Sequence, residues 1–329
     1  MTVTSAAQEL RAASRVLLLG HIAPDADSLG SVLALGLALE QISPQASIVV
    51  SFGDEPFSVP RILRSLPGQH LLHAPADVRD MGAFDVAVSC DVSTPGRLGA
   101  NLGSFEQAKV RIVIDHHVSN GGFGSINIIE PTAAANVLLA LQVIDELGAD
   151  ITADIAHALY AGLITDTGSF KYSATDVQTH MVAARLMATG IDHALIARQM
   201  YDDEPFAVVQ MLARALGQAA CDATALGGLG LVWTAVSAED RHSLGLPEDA
   251  AERVIDVLRI TTEAEVAAVL KQSDAGTWKL SLRSKGVVDV SAAAATLGGG
   301  GHRFAAGADV GDDVALAVQA VRRALESAL

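Results

Sequence analysis

The chain is short of cysteine, of aromatic residues and of positive charge, and each shortage excludes something. Two cysteines, Cys90 and Cys221, do not suggest a disulfide framework, and a reducing cytoplasm is the expected compartment. Aromatic residues make up 4% of the 329 residues, while 50% are hydrophobic and many of these are Ala. That composition predicts helix-rich globular cores; disorder needs lower hydrophobicity. Lys and Arg number 22 against 38 Asp and Glu, a net charge of −16. Tight non-specific binding to long nucleic acid rests on neutralising many phosphates, so this surface should repel a long polyanion. A substrate with one or a few phosphates can still be held by local cations and metal ions. Apolar residues come in short blocks, none near the roughly 20 residues that cross a bilayer, so no membrane partner is expected. Met1–Leu10 is polar with an acidic residue and lacks the basic-then-apolar order of a secretion signal.

What is present predicts two domains, each long enough to bury its own core. In the first half, short β-branched runs alternate with helical stretches. Arg15–Gly20 reads as a buried strand, Ser28–Gln41 as a helix, and Ala46–Phe52, Phe84–Cys90 and Val110–Ile114 as further strands. Continuous apolar runs separated by helices predict an α/β domain with a mostly parallel sheet and helices on both faces. Further helices are predicted over Ala133–Leu147, Ala153–Leu163 and Val177–Thr189. This domain is expected to span residues 1–190, with a helical linker over 191–218 and a smaller α/β domain over 219–329. The strands of the second are expected at Gly230–Val236, Glu265–Gln272 and Trp278–Arg283, followed by a closing amphipathic helix.

Acidic and imidazole residues fall where the strands end. After the first strand comes an H-x3-D-x-D cluster, His21, Asp25 and Asp27; the third ends in Cys90-Asp91, and the fourth in Asp115-His116-His117. Ligands of parallel α/β sheets bind at the carboxyl ends of the strands, so these segments can meet in one crevice. A fourth segment, Gly162 to Gly168, is expected to leave a helix and hold Asp166 in a Gly-bounded turn. Asp25 and Asp27, taken alone, could equally cap the helix that follows them, and a lone strand-end His is more often structural than a ligand. The ordered recurrence of all four segments favours metal. Several carboxylates in one partly desolvated pocket repel and raise one another's pKa, and divalent cations supply the missing charge. Carboxylates with a few imidazoles suit manganese, magnesium or cobalt. Two such ions, roughly 3.5–4 Å apart, stabilise the attacking and leaving oxygens at phosphorus.

In the second half, Gly298–Gly301 followed by His302 and Arg303 forms a run whose glycines allow positive φ and close backbone approach, so that N–H groups can converge on phosphate oxygens. Residues 16–36 lack the GxGxxG turn of a dinucleotide-binding unit, which argues against a dehydrogenase.

The order H-x3-D-x-D, D, D-H-H, D resembles the motif set of the DHH phosphoesterase superfamily. Ser281-Leu282-Arg283-Ser284 with the later Gly-Gly-Gly-Gly-His resembles the DHH-associated C-terminal domain of its oligoribonuclease (nano-RNase)/pAp-phosphatase group. The resemblance implies an active site in the cleft between the two domains. It implies one ion on His21, Asp25 and Asp91 and a second on Asp27, Asp91, His116 and Asp166, with Asp91 bridging. Asp115 would orient a neighbouring imidazole, His117 would face the scissile phosphate, and Asp91, Asp115 and His117 form the catalytic set. Arg283, Gly299, Gly300, Gly301, His302 and Arg303 would hold the substrate. The implied activity is manganese-dependent hydrolysis of short oligoribonucleotides and linear dinucleotides such as pApA, and of pAp to AMP and phosphate, by a homodimer. Hydrolysis of c-di-AMP, pyrophosphate or polyphosphate, and nucleotide sensing without turnover, are the alternatives.

Overall fold

The computed structural model describes residues 2–329, and of His302 the backbone alone. The chain divides into two compact units, residues 1–203 and 204–329. The stretch expected as a linker is shared between them. Helix His193–Tyr201 buries Ile196 and Met200 in the first core, and helix Phe206–Gly217 buries Val208, Met211 and Ala215 in a core of the second.

In the first unit, β1 (Arg15–Gly20), β2 (Ser47–Phe52), β3 (Val86–Cys90), β4 (Val110–Asp115) and β5 (Ile126–Ile129) form a sheet of order β2-β1-β3-β4-β5. All four pairings are parallel. Strand periodicity explains why both faces need cover. Val16 and Leu18 of β1 face one cluster, with α2 (Ala26–Ile42) and the helices Asn136–Leu147 and Ala153–Asp166. Leu17 and Leu19 face another, with Val78, Phe84 and Phe105. A helix α1 (Thr2–Ala12) adds Ala6, Ala7 and Leu10 to the larger cluster.

α2 crosses helix Ala153–Asp166 with almost no side chain between the backbones. A Cβ on Gly30 would stand 2.5 Å from the carbonyl oxygen of Ala158, and one on Gly162 would stand 2.9 Å from both Ala26 O and Asp27 Cα. These glycines set how near Asp166, at the end of one helix, comes to Asp27, at the start of the other.

The second unit is a six-stranded mixed sheet of order β10-β11-β9-β8-β7-β6. Its strands are β6 (Ala220–Asp222), β7 (Leu231–Val236), β8 (Val266–Gln272), β9 (Trp278–Ser284), β10 (Gly300–His302) and β11 (Ala305–Asp309). Only β7 and β8 pair in parallel. One face packs on helices Val290–Thr296 and Val314–Ser327, the other on Phe206–Gly217 and Arg253–Leu258. Among the described residues, no helix is long and apolar enough to cross a membrane.

Candidate metal centre

The strand order of the first unit reverses at β1, whose neighbours are β2 and β3, and the crevice beyond the carboxyl ends of β1 and β3 is where such sheets take their ligands. His21 follows β1, Asp91 follows β3, and Asp115 closes β4 with His116 and His117 just beyond it. Asp91 has φ of 59°, a left-handed conformation that costs a non-glycine residue about 1–3 kcal/mol. The turn ends the strand and leaves the carboxylate buried among the imidazoles. Asp25 caps α2, its Oδ1 accepting from the backbone N–H groups of Asp27 and Ser28 at 3.1 and 2.9 Å. Asp166 is the last residue of helix Ala153–Asp166, not a member of the Gly-bounded turn that the sequence suggested. The Thr165 and Thr167 hydroxyls turn back to carbonyls of their own helix, at Ala161 and Leu163.

Among the described residues the donor atoms form three groups that could hold an ion, His21/Asp25/Asp91, Asp27/His116/Asp166 and Asp91/His116/His117, and Asp91 links them. His21 Nε2 lies 3.5 Å from Asp25 Oδ2 and 3.6 Å from Asp91 Oδ2. His116 Nε2 lies 3.4 Å from Asp91 Oδ1, 3.5 Å from Asp166 Oδ2 and 3.8 Å from Asp27 Oδ2. Asp91 therefore turns one oxygen toward His21 and the other toward His116. With metal–ligand bonds of about 2.1 Å, neighbouring donors stand roughly 3.0–3.5 Å apart, close to what is seen here. Asp91 Oδ1 is buried without a hydrogen-bond partner, which is costly unless something positive binds there. The ring orientations agree: His21 Nδ1 lies 2.8 Å from Ile22 O, and His116 Nδ1 lies 2.9 Å from Ala133 O. At His116, an Nδ1–H donated to Ala133 O leaves the Nε2 lone pair for a cation, whereas His21 Nδ1 faces both Ile22 O and the Arg97 guanidinium. His117 differs, because its Nδ1 is 2.7 Å from Asp115 Oδ1.

The electrostatics show a pocket short of positive charge. Burial, together with Asp91 and Asp166, pushes Asp27 well above the usual carboxylate range. Burial also raises Asp166, to about 7, the pull of His116 being outweighed with help from Asp91 and Asp25. Burial opposes the imidazolium form of His21 and His116, yet the surrounding carboxylates win and raise them to about 10 and about 11. In the absence of metal, protons do what cations would do. The donor set fits a hard divalent ion. Cys90, fully buried on β3, has its thiol pushed up by burial and by Asp91, and it joins none of the donor groups found among the described residues.

Residues 15–163 match the DHH family, N-terminal domain, and residues 234–329 match the DHHA1 domain. The bifunctional oligoribonuclease and PAP phosphatase NrnA of Thermus thermophilus is 32% identical, over 94% of this chain and 88% of its own length. The chain belongs to the DHH family. A cyclic-di-AMP phosphodiesterase, GdpP of Geobacillus thermodenitrificans, is 27% identical over 98% of this chain, which covers 49% of that protein. The crystal structure of an exopolyphosphatase-related protein from Bacteroides fragilis shares the fold, with a TM-score of 0.88 at 22% identity, over 99% of this chain and 96% of that one.

In the DHHA1 unit, the second half of the glycine run is strand. Gly300–His302 is a strand paired with β11, so much of its backbone is committed to the ladder. A Cβ on Gly299 would stand 2.0 Å from Gly307 O, and one on Gly301 2.5 Å from Ala305 O. Close approach of β11 is therefore one reason for glycine at both positions. The His302 backbone pairs with Ala305, and Ala305 pairs with Arg283, which puts the three in one row across the sheet. The His302 side chain lies outside the described residues. Arg283 is half-buried and donates from Nη1 to Leu282 O at 3.0 Å, while Arg303 is exposed, its guanidinium over the Phe304 ring.

Sequence reasoning missed four polar residues that shape the DHH site. Asn136 is fully buried; its backbone N–H donates to Asp27 Oδ2 at 2.6 Å, and its Nδ2 donates to Ser31 Oγ at 2.9 Å. Ser28 Oγ accepts from His21 N at 3.1 Å. Arg97 Nη2 lies 3.0 Å from His21 Nδ1. Asn120 donates to Asp115 Oδ2 at 2.6 Å. Nothing in their local sequence distinguishes these from loop and cap residues.

Proposed function

We propose that this DHH chain is a manganese-dependent phosphoesterase. It would hydrolyse short oligoribonucleotides and linear dinucleotides such as pApA to 5′-mononucleotides, and pAp to AMP and phosphate. The observation that carries the reading is the Asp91 carboxylate with one oxygen toward each of two donor groups. The likeness to an oligoribonuclease and PAP phosphatase through both the DHH and DHHA1 domains supports the substrate class. In this reading His21, Asp25 and Asp91 hold one ion, and Asp27, Asp91, His116 and Asp166 hold the other. When bound, such ions neutralise the charge that develops on the attacking and leaving oxygens at phosphorus. His117, its Nδ1 fixed by Asp115, presents Nε2 for proton transfer or a hydrogen bond at the scissile phosphate. Arg283, Gly299, Gly300, Gly301, His302 and Arg303 hold the rest of the nucleotide.

The test is metal-stripped protein with added manganese, given separately pApA, pAp, c-di-AMP and pyrophosphate, with products resolved by chromatography. AMP from pApA, formed well above the other rates, is the expected result. Rapid phosphate release from pyrophosphate with pApA untouched would overturn the substrate class. Full turnover by Asp91→Ala would overturn the metal assignment.

A further inference from the structure

We propose that Asn120 is a positioning residue for His117, acting through Asp115. The inference rests on the reading of His117 as the residue that faces the scissile phosphate. It starts from a buried carboxylate. Asp115 has no exposed surface, and its two oxygens are divided: Oδ1 lies 2.7 Å from His117 Nδ1, and Oδ2 accepts from Asn120 Nδ2 at 2.6 Å. The orientation of the Asn120 amide follows from its neighbours. Nδ2 also donates to Val92 O at 3.0 Å, and Oδ1 accepts from Gly122 N at 2.8 Å. Reversed, the amide would set an oxygen against a carbonyl and a carboxylate and a nitrogen against an N–H, losing all three bonds.

The result is a chain of three side chains, Asn120–Asp115–His117, in which each link removes one rotation. Asn120 is itself anchored on both sides, to the exit of β3 beside Asp91 and to the Gly122 turn. Its grip on Oδ2 stops the Asp115 carboxylate from turning about its own axis. Oδ1 is thereby kept in line with the imidazole, and His117 Nε2 points away from Asp115. An amide suits the place, because it satisfies Oδ2 without adding another charge to a buried site crowded with carboxylates. A cationic side chain in its place would instead compete with metal ions for the carboxylates nearby.

Asn120→Asp keeps the acceptor for Gly122 N and replaces the donor that faces both Asp115 and Val92 O with an oxygen. An Asp115→Asn background separates positioning from the loss of the Val92 anchor. Asn120→Ala removes acceptor and donor together and serves as the second variant. With full-length manganese-loaded protein and pApA, each should lower kcat roughly 10–100-fold, the scale found when the partner of a site imidazole is lost. KM and the bound manganese per chain should stay unchanged. In an Asp115→Asn background, the same substitutions should cost less than about threefold, because the route through Asp115 is already cut. An equal cost in both backgrounds, or loss of manganese, would overturn the proposal and leave Asn120 as a structural residue. A second readout needs no substrate. In the magnesium-loaded protein, the His117 Nδ1–H proton should give a protected downfield resonance that exchanges away in Asn120→Ala. Its persistence there would refute the inference even if pApA proved to be the wrong substrate. Failure of the wild type on pApA with loss of that resonance would overturn only the substrate reading.

Discussion

Gly30→Ala tests whether a helix crossing sets the geometry of one metal site and not the other. The added Cβ would stand 2.5 Å from the Ala158 carbonyl oxygen, about 0.8 Å short of the roughly 3.3 Å at which close C···O contacts occur. Backbone is the obstacle, so no side chain can rotate out of the way. Both helices are buried at the crossing, so the two must part there, and Asp166 moves relative to Asp27. Overpacking of this kind costs about 1–3 kcal/mol, and the better helix propensity of Ala returns about 1 kcal/mol. The effect on the melting temperature is therefore small. Metal sites are less forgiving, because ligand distances hold to about 0.2 Å. The group of Asp27, His116 and Asp166 should lose about 10–100-fold in manganese affinity. The group of His21, Asp25 and Asp91 does not draw ligands from both sides of the crossing and should weaken far less. Titration of stripped protein with manganese, followed by calorimetry and by electron paramagnetic resonance, resolves the two sites. Equal weakening of both, or of neither, would refute the argument.

Asp27→Asn should separate stability from function. The metal-free variant should melt above the metal-free wild type, because a carboxylate repelled by Asp91 and Asp166 is gone while an acceptor for the Asn136 and Val137 N–H groups remains. With manganese the order of melting temperatures should reverse. Metal binding at pH 7.5 should release at least two protons, since His21 and His116 are raised to about 10 and about 11 and must give up their protons to become ligands, and the raised Asp27 adds to the release. Calorimetry in buffers of different ionisation enthalpy counts them, and no release would contradict the pairing described here. These raised values also set the pH dependence of the metal-free fold. The stabilisation by His21 and His116 is complete below their unfolded value of 6.5, and it is lost as pH rises through about 10 and 11. Asp166 works in the same direction, its contribution being lost as pH rises from 3.8 through about 7. The melting temperature without metal should thus fall between pH 6 and 10 more steeply than with metal. Gly299→Ala, with its Cβ 2.0 Å from Gly307 O, should destabilise the DHHA1 unit by about 1–3 kcal/mol and leave manganese content unchanged. Loss of manganese in that variant would contradict the reading of Gly299 as a close-approach residue of β11.

The parts of the fold that the sequence discloses are those where one physical signal dominates. The β1, β3 and β4 segments are short, apolar and flanked by polar residues, and their expected spans agree with the observed ones within two residues at each end. Because a parallel sheet exposes its ligand face only at strand ends, finding the strands was enough to find His21, Asp91 and the Asp115-His116-His117 triplet. Weak signals failed. α1 buries only Ala6, Ala7 and Leu10, too small a stripe to stand out in an Ala-rich chain. β5 has four residues and exists because Ile112 to Asp115 of β4 offer it an edge. Gly30 and Gly162 look like ordinary helix-weakening glycines until the partner helix is seen. The glycine run of the second unit is split: Gly298 and Gly299 precede the strand, whereas Gly300 and Gly301 pair with β11, a register that composition alone does not disclose.

The proposed metal ligands are also structural residues, and this changes what their sequence pattern means. Asp25 caps α2 while offering Oδ2 toward His21. Asp27 accepts from the first two N–H groups of helix Asn136–Leu147, whose own capping residue, Ala135, has no side chain able to do so. The capping and ligand readings of these aspartates are therefore one arrangement and not rivals. A helix N-terminus favours a carboxylate there, and the carboxylate so fixed is held ready for a cation. The coupling has a consequence for substitutions. Replacing Asp27 by Ala removes a ligand and the helix cap together, whereas Asn retains an acceptor. Loss of activity in the Ala variant alone would say nothing about metal chemistry; the Asn variant, with the cap kept and the charge removed, is the one that isolates it.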